Sequence, residues 1–378
     1  MAEVYTILLE LLSSALHDGH KVNIPDELVP DIREELAKQS VQCIPAEFAG
    51  MTAVALNLQT FYGILEEQDN IEKALSVPYV VLKGTAAAMN YPKPELRAMG
   101  DIDIIVRSED FEVAKIGLVT AGYRIESEKN DRHLNLTSPD DYEIELHHHF
   151  SSSSNQKQNQ ILDDLIYEGI HKRETAEIDG YTFPVLPRLQ NGLVLLGHIN
   201  QHLGTGLGLR QIIDWMCYVE RELDDEFWKN EFSQAAESIG MCKLAVIVTA
   251  MCAKYLGLDE KVTWHTECSD PAACEELMEY ILSHGNFGRK DCSTNAVKVV
   301  RKWGSLWDGL RYAQMSGKYV YPVFQKYKIL TPFAWIAGIC RWVVLGLKRG
   351  IRPGNLKRIS DKEKWETELL ERLGVTRL

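Results

Sequence analysis

The 378-residue chain carries 54 acidic against 41 basic side chains, a formal charge of −13. Hydrophobic residues make up 45% and charged ones 25%, which excludes a disordered chain and supports a sizeable core in two or three domains. Eight cysteines lie scattered at positions 43, 217, 242, 252, 268, 274, 292 and 340 with no C-x-x-C pair, so neither a disulfide scaffold nor structural zinc is expected. The opening stretch MAEVYTILLELLSSAL holds early acids and no basic leader. A reducing cytoplasm is the expected setting.

Helical periodicity covers 4–17 and 26–39, with Asp26 near a proline-marked start. It continues over 51–75, where Leu56, Leu58, Phe61, Ile64 and Leu65 recur, giving an N-terminal helical region over 1–75. An α+β core with a mixed or antiparallel sheet is expected over 76–187. Within it, YVVLKGTAAAMNYPKPELRAMGDIDIIV (79–106) holds a β-run ending at Lys83-Gly84-Thr85, a short helix, a proline-bounded loop and a second β-run from Asp101-Ile102-Asp103. Ser108 is placed to cap a helix over 109–121, Gly122 to stop it, and Tyr123–Glu128 to form a strand. The runs HLNLT and YEIELH flank the turn signal Ser138-Pro139-Asp140-Asp141 and predict a hairpin. The polar tract SSSSNQKQNQ (151–160) reads as a mobile loop or lid, and 161–168 as a helix. Arg173–Ile178 and Tyr181–Leu186 around Asp179-Gly180 predict another hairpin.

From Pro187 the pattern is helical, giving a C-terminal helical domain over 188–378 with helices at 224–255, 270–285 and 295–328. Residues 329–347 are apolar apart from Arg341, and Thr331-Pro332 marks a helix start. A central arginine costs about 2.5–3.5 kcal/mol in a bilayer, so this helix is expected to be buried or interfacial rather than membrane-spanning.

The chemistry-bearing residues sit in the core. In a strand, positions i and i+2 share a face, so Asp101 and Asp103 project together while Ile102 and Ile104 face a core. Two carboxylates held that close need a cation, and hard oxygen ligands suit Mg²⁺. Gly84 lies where a strand turns into a helix, where backbone N–H groups can approach an anion. In YEIELH, Glu143, Glu145 and His147 share one face and Tyr142, Ile144, Leu146 and His148 the other. Glu145, flanked by Ile144 and Leu146, is the better third acid, with Glu143 its rival. Of the run His147, His148 and His149, only His147 shares the carboxylate face; a strand edge or solvated turn is the plainer reading of the run. Arg97, just before the metal strand, either neutralises phosphate or pairs with a nearby acid. His198 and His202 stand at i, i+4, a spacing that permits metal binding, but no intervening Glu or nearby third ligand supports it.

The ordered series LKG, YP, Arg97, DIDIIV, a helix, GY and a hairpin ending in IELH resembles the nucleotidyltransferase superfamily. The resemblance is closest to its uncharacterised nucleotidyltransferase branch, related in plan to the aminoglycoside nucleotidyltransferases. It is carried by residues 78–150. It implies that Gly84 and Thr85 hold the triphosphate, and that Asp101, Asp103 and Glu145 hold two Mg²⁺, or Mn²⁺, and are catalytic. Lys83 before the Gly departs from the family and either reaches a phosphate or points outward; with Arg97 it completes the nucleotide-binding candidates. Thr85 stands where the family has Ser or Gly, and the gap to Asp101 is slightly long. The resemblance further implies that helices after the core wall the acceptor pocket, with His147, His202, Arg210 and Asp214 on the acceptor side; a hydrogen-bonded helix pair around Gly204-Thr205-Gly206 is the plainer account. The implied reaction moves a nucleoside monophosphate, most simply AMP from ATP, to a hydroxyl on a small molecule, a polysaccharide precursor or a protein. A glycosyltransferase and a non-catalytic nucleotide-binding module are the alternatives; the helical rather than α/β N-terminal region counts against the first, and the full set of acids against the second.

Residues 309–360 carry ten Lys or Arg and no acid, leaving −23 on the rest of the chain. The segment is rich in Tyr, Phe and Trp. It either packs on the acidic body and draws in anionic nucleotide, or contacts a membrane surface or other anionic partner.

Overall fold

The structure, a computed structural model, describes residues 3–17, 19–42, 50–127, 132–150, 155–203, 206–268 and 270–286, and then 313–314, 317–318, 321, 323–326, 330–348 and 356–375. The helix expected over 295–328, except for a few residues, much of the basic 309–360 segment, the four serines of the 151–160 tract, Gly204 and Thr205 lie outside the described residues.

Seven strands form one mixed sheet. They are β1 (Tyr79–Leu82), β2 (Ile102–Val106), β3 (Arg124–Ser127), β4 (His133–Thr137), β5 (Glu143–His147), β6 (Glu174–Ile178) and β7 (Tyr181–Val185), in the spatial order β3-β4-β5-β2-β1-β7-β6. β2 runs parallel to β5 and β1 parallel to β7; the other neighbours are antiparallel. Helices α1 (Glu3–Leu16), α2 (Val29–Gln39) and α3 (Met51–Ala74) precede the sheet. α4 (Gly84–Ala88) follows β1, α5 (Phe111–Thr120) follows β2 and α6 (Gln156–His171) follows β5. After β7 come α7 (Arg188–Leu203), α8 (Leu209–Glu222), α9 (Cys242–Tyr255), α10 (Pro271–His284), α11 (Thr331–Lys348) and α12 (Leu356–Arg372). The fold is α+β, a mixed sheet flanked by helices.

Strand alternation divides the molecule into two cores. Val81, Ile102, Ile104, Ile144 and Leu146 point to one face and pack with Phe61, Ile64 and Leu65 of α3 and Ala114 and Leu118 of α5. Val80, Leu82 and Ile105 point to the other and join the core of α7, α8, α9 and α10. α1 and α2 belong to this second core through Leu8, Leu12, Ile32 and Leu36. The N-terminal helices are therefore divided between two cores rather than stacked as one layer, because α3 carries its apolar stripe to the opposite face of the sheet. Ile104 is fully buried; its truncation to alanine removes about 2–5 kcal/mol of stability.

The β4–β5 hairpin turns as its sequence predicts. The buried Ser138 hydroxyl accepts from the backbone N–H of Asp140 (3.2 Å) and Tyr142 (3.1 Å), and Asp141 takes φ 64°. Asp179 and Gly180 turn the second hairpin with φ 50° and 86°.

Several expectations are corrected. Ser108 does not cap α5; its hydroxyl lies 2.8 Å from that of Tyr167, and a 3₁₀ turn over Ser108–Asp110 leads into the helix. Residues 156–160 are the first turn of α6 rather than loop, because the Asn155 side chain caps it by accepting from Gln158 N–H. The helix expected over 224–255 is broken: a short helix, a π turn over Trp228–Phe232 and Ser233–Ser238 end before Gly240, which takes φ 71°, and α9 starts anew. α11 starts at Thr331 as expected, but much of its surface is uncovered: Phe333, Trp335, Ile336, Val343 and Val344 are exposed. Among its residues whose burial is described, the small Ala334 and Gly338 are the buried ones, against Ala313 and Gly317. Among the described residues no helix is long and apolar enough to cross a membrane.

Candidate active site

The parallel pairing of β2 with β5 sets Asp103 beside Glu145. Since Ile102 and Ile104 face the α3 core, Asp103, Glu145 and His147 face α7 and α8, with Asp101 just before the strand. One carboxylate oxygen from each of Asp101, Asp103 and Glu145 lies within 4.8 Å of the others. Glu143, the rival acid, pairs across from Thr137 and is exposed. β5 is an interior strand, so His147 is buried rather than at a solvated edge. Its two neighbours diverge from it. The His148 ring packs on Phe111 at 4.3 Å, and His149 Nδ1 lies 3.1 Å from Asp163.

β1 delivers Lys83 and Gly84 to the same place. Lys83 has φ 51° and ψ −137°, and Gly84 follows at φ 42°. For a lysine this conformation stores on the order of 1–3 kcal/mol of strain, which the packed strand must hold. A Cβ on Gly84 would meet only Met99 Cε at 4.0 Å, so the backbone angle, not crowding, asks for glycine. Lys83 Nζ reaches Asp103 Oδ1 at 2.8 Å. Thr85 departs from its expected role. It is fully buried, and its hydroxyl exchanges hydrogen bonds of 2.8 and 3.1 Å with Gln68 of α3, leaving only its backbone toward the turn.

Charge is tightly organised on this wall. The neighbouring Asp103 charge, with burial, raises the Asp101 carboxyl above its ordinary range. Burial alone would do the same to Asp103, but the Lys83 ammonium and His147 outweigh it and hold Asp103 well below the usual carboxylate range. His147 Nε2 stands 3.0 Å from Asp103 Oδ1 and 3.2 Å from Glu145 Oε2. Burial opposes its protonation; the two carboxylates prevail and raise its pKa. Glu145 is shifted down despite burial, through the His147 hydrogen bond. Three converging acids leave more negative charge than Lys83 alone offsets, and their oxygen donors fit a hard divalent ion.

The opposite wall is helical. Arg97 is buried and gives its Nε and Nη2 to the two oxygens of Asp214 on α8, each at 2.8 Å, while Tyr91 donates to the same carboxylate at 2.8 Å. Asp214 is thus the anchor of Arg97, set behind the cleft rather than in it; Arg97 itself lines the cleft. The two walls enclose a cavity of about 220 Å³ into which His198, Gln201, His202 and Arg210 also face. Burial depresses His202 to about 4 and His198 well below its ordinary value, so both imidazoles are neutral at neutral pH. Burial and the nearby Arg97 charge also lower Arg210, whose Nε is buried with no hydrogen-bond partner among the described residues.

The structure therefore gathers Lys83, Gly84, Arg97, Asp101, Asp103, Glu145, His147, His202 and Arg210 around one cleft, with Thr85 and Asp214 behind it. The sequence reading missed His133, Arg132 and Gln201, which also line it. His133 was recoverable: counting back from the Ser138 turn places it directly opposite His147.

No curated protein matches the chain. A family described as uncharacterised nucleotidyltransferase matches residues 26–257, a span that includes all seven strands and both α7 and α8. With more than half of its length matched and both walls of the cleft inside the match, the chain belongs to the uncharacterised nucleotidyltransferase family.

Proposed function

We propose that the protein transfers a nucleoside monophosphate, AMP from ATP, to a hydroxyl acceptor and releases pyrophosphate. The observation that carries this reading is the convergence of Asp101, Asp103 and Glu145 within 4.8 Å, beside the Lys83-Gly84 turn. Asp101, Asp103 and Glu145 would hold two divalent ions, Mg²⁺ or Mn²⁺, which when bound neutralise phosphate charge and acidify the acceptor hydroxyl. Lys83 and the backbone around Gly84 bind the phosphates beyond the reacting one, with Arg210 adding positive charge from the helical wall and Arg97, held by Asp214, lining the nucleotide side of the cleft. Glu145, kept ionised, takes the acceptor proton. The acceptor oxygen bonds to the α-phosphorus as the bond to the pyrophosphate oxygen breaks. The helical wall with His202 and Arg210 faces the acceptor, a small molecule, a polysaccharide precursor or a protein side chain. The reaction is placed in the cytoplasm, where the nucleotide pool lies. The test follows label from the α-phosphate of ATP into an acceptor fraction in the presence of Mg²⁺. Label should appear with the wild type and vanish with Asp103→Asn of unchanged circular dichroism; transfer unaffected by that change sinks the assignment.

A second reading concerns α11. Its exposed Phe333, Trp335, Ile336, Val343 and Val344 lie within a segment of ten basic and no acidic residues. This favours contact with an anionic membrane surface. Co-sedimentation with vesicles containing phosphatidylserine should exceed that with neutral vesicles and fall for Phe333→Ser/Ile336→Ser. Equal sedimentation with both vesicle types would remove the reading.

A further inference from the structure

On the sheet wall a second group of donors has formed that shares only Glu145 with the acid triad. His133 on β4 and His147 on β5 are direct cross-strand partners, and Glu145 lies two residues before His147 on the same face. All three therefore project toward one point of the cleft. His147 Nε2 stands 3.2 Å from one Glu145 oxygen and His133 Nε2 stands 3.6 Å from the other. The two rings are 4.8 Å apart between centroids, and one ligand atom from each of the three residues lies within 4.8 Å of the others. Two donors at about 2.0–2.1 Å from one tetrahedral ion stand about 3.3–3.4 Å apart; the two histidine–carboxylate separations, each to its own Glu145 oxygen, lie on either side of that value.

We infer that His133, Glu145 and His147 form a mixed nitrogen–oxygen metal site that takes a transition ion such as Zn²⁺ or Co²⁺ in preference to Mg²⁺. Two imidazoles and one carboxylate make a three-ligand set that leaves a position open for a water or a substrate oxygen. Imidazole nitrogen suits Zn²⁺ and its neighbours, whereas Mg²⁺ keeps to oxygen ligands. The site adjoins the Asp101–Asp103 pair and shares Glu145 with it. The inference therefore deepens the proposed reaction, and rests on it only for the idea that the bound ion serves transfer. The binding claim stands on the placement of these three ligands alone. On binding, His147 Nε2 would exchange its contacts with Asp103 and Glu145, and any proton it holds there, for the ion.

The test uses the full chain, stripped of metal by a chelator and titrated with Co²⁺, whose visible absorption reports nitrogen and oxygen ligation. Wild type should bind Co²⁺ at this site and release it to Zn²⁺ but not to an equal excess of Mg²⁺. His133→Asn should weaken Co²⁺ binding about tenfold or more, since even outer partners of ligands cost 10–100-fold. Asp101→Asn should change it far less. His133→Gln serves if the Asn variant does not fold, with circular dichroism as the check. Absence of Co²⁺ binding by wild type, equal binding by the His133 variants, or displacement by Mg²⁺ as readily as by Zn²⁺ overturns the inference. Nucleotidyl transfer is scored separately through Asp103→Asn. Wild-type transfer that Asp103→Asn abolishes, together with full Co²⁺ affinity in the His133 variants, sinks this site and spares the reaction. Lost Co²⁺ binding in the variants with no transfer by the wild type does the reverse.

Discussion

The two walls of the cleft are built on opposite principles. The sheet wall concentrates charge and then answers it: Asp103 is met by Lys83 and His147, and Glu145 by His147. The helical wall suppresses charge instead. Its histidines are neutralised by burial, and its one strong ion pair, Arg97–Asp214, is closed on itself. A negative wall that can accept cations thus faces a wall that offers the Arg210 guanidinium and neutral imidazoles to an incoming anion. The contrast teaches that the sheet gathers the ion-binding groups while the helices shape the space opposite them.

The sharpest break in that contrast is Asp103→Asn. It leaves the sheet wall short of a metal-binding oxygen charge, and nucleotidyl transfer should fall by on the order of 10²–10³-fold or more, measured as pyrophosphate release. On the helical wall the corresponding loss is structural. Asp214→Ala leaves Arg97 buried and unanswered, at a cost of about 3–5 kcal/mol in urea unfolding, with Tyr91→Phe a milder companion. Acidification separates the walls a third way. His202 has a folded pKa of about 4, below its ordinary 6.5, so the unfolded chain binds the proton first as pH falls. Its contribution is present above pH about 6.5 and is lost as pH drops through about 4, a total of about 3 kcal/mol, visible as a lower urea midpoint that His202→Gln should flatten. The smallest effect is expected at Thr85→Val, which strands the buried Gln68 amide and costs about 1–3 kcal/mol. Its affinity for an ATP analogue, read by titration calorimetry, should stay unchanged, because the hydroxyl is turned into α3.

The same contrast explains what could be read in advance. Asp101 and Asp103 were legible together because strand periodicity is local: two residues apart means the same face. Glu145 joined them only on the further expectation that its strand lies beside theirs, which the parallel β2–β5 pairing supplies. His133 was hidden only until the register was counted from the turn. The helical wall was opaque for a different reason. Whether Asp214 points into a cleft or into Arg97 depends on how α8 meets the loop before β2, an arrangement with a sequence separation of 117 residues. Thr85 was misread because Gln68 sits on a helix from the other core, which no local pattern connects to the turn. α1 and α2 were placed correctly as helices, but their partners lie far down the chain in α9 and α10. α11 was expected to be buried or interfacial on composition; composition alone did not choose, and its exposed Phe333, Trp335 and Ile336 go against burial.

Ser138 shows how far a single hydroxyl can reach. By gripping the amides of Asp140 and Tyr142 it decides where the hairpin folds back, and therefore which side chains of EIELH arrive at the cleft. Sliding the strand by one position would bring Ile144 or Leu146 to the cleft and turn the acids toward the α3 core. Sliding it by two would hand the post of Glu145 to Glu143 and that of His147 to Glu145, exchanging a nitrogen donor for another oxygen. The identity of the atoms that meet a substrate is thus decided at a turn that never touches it.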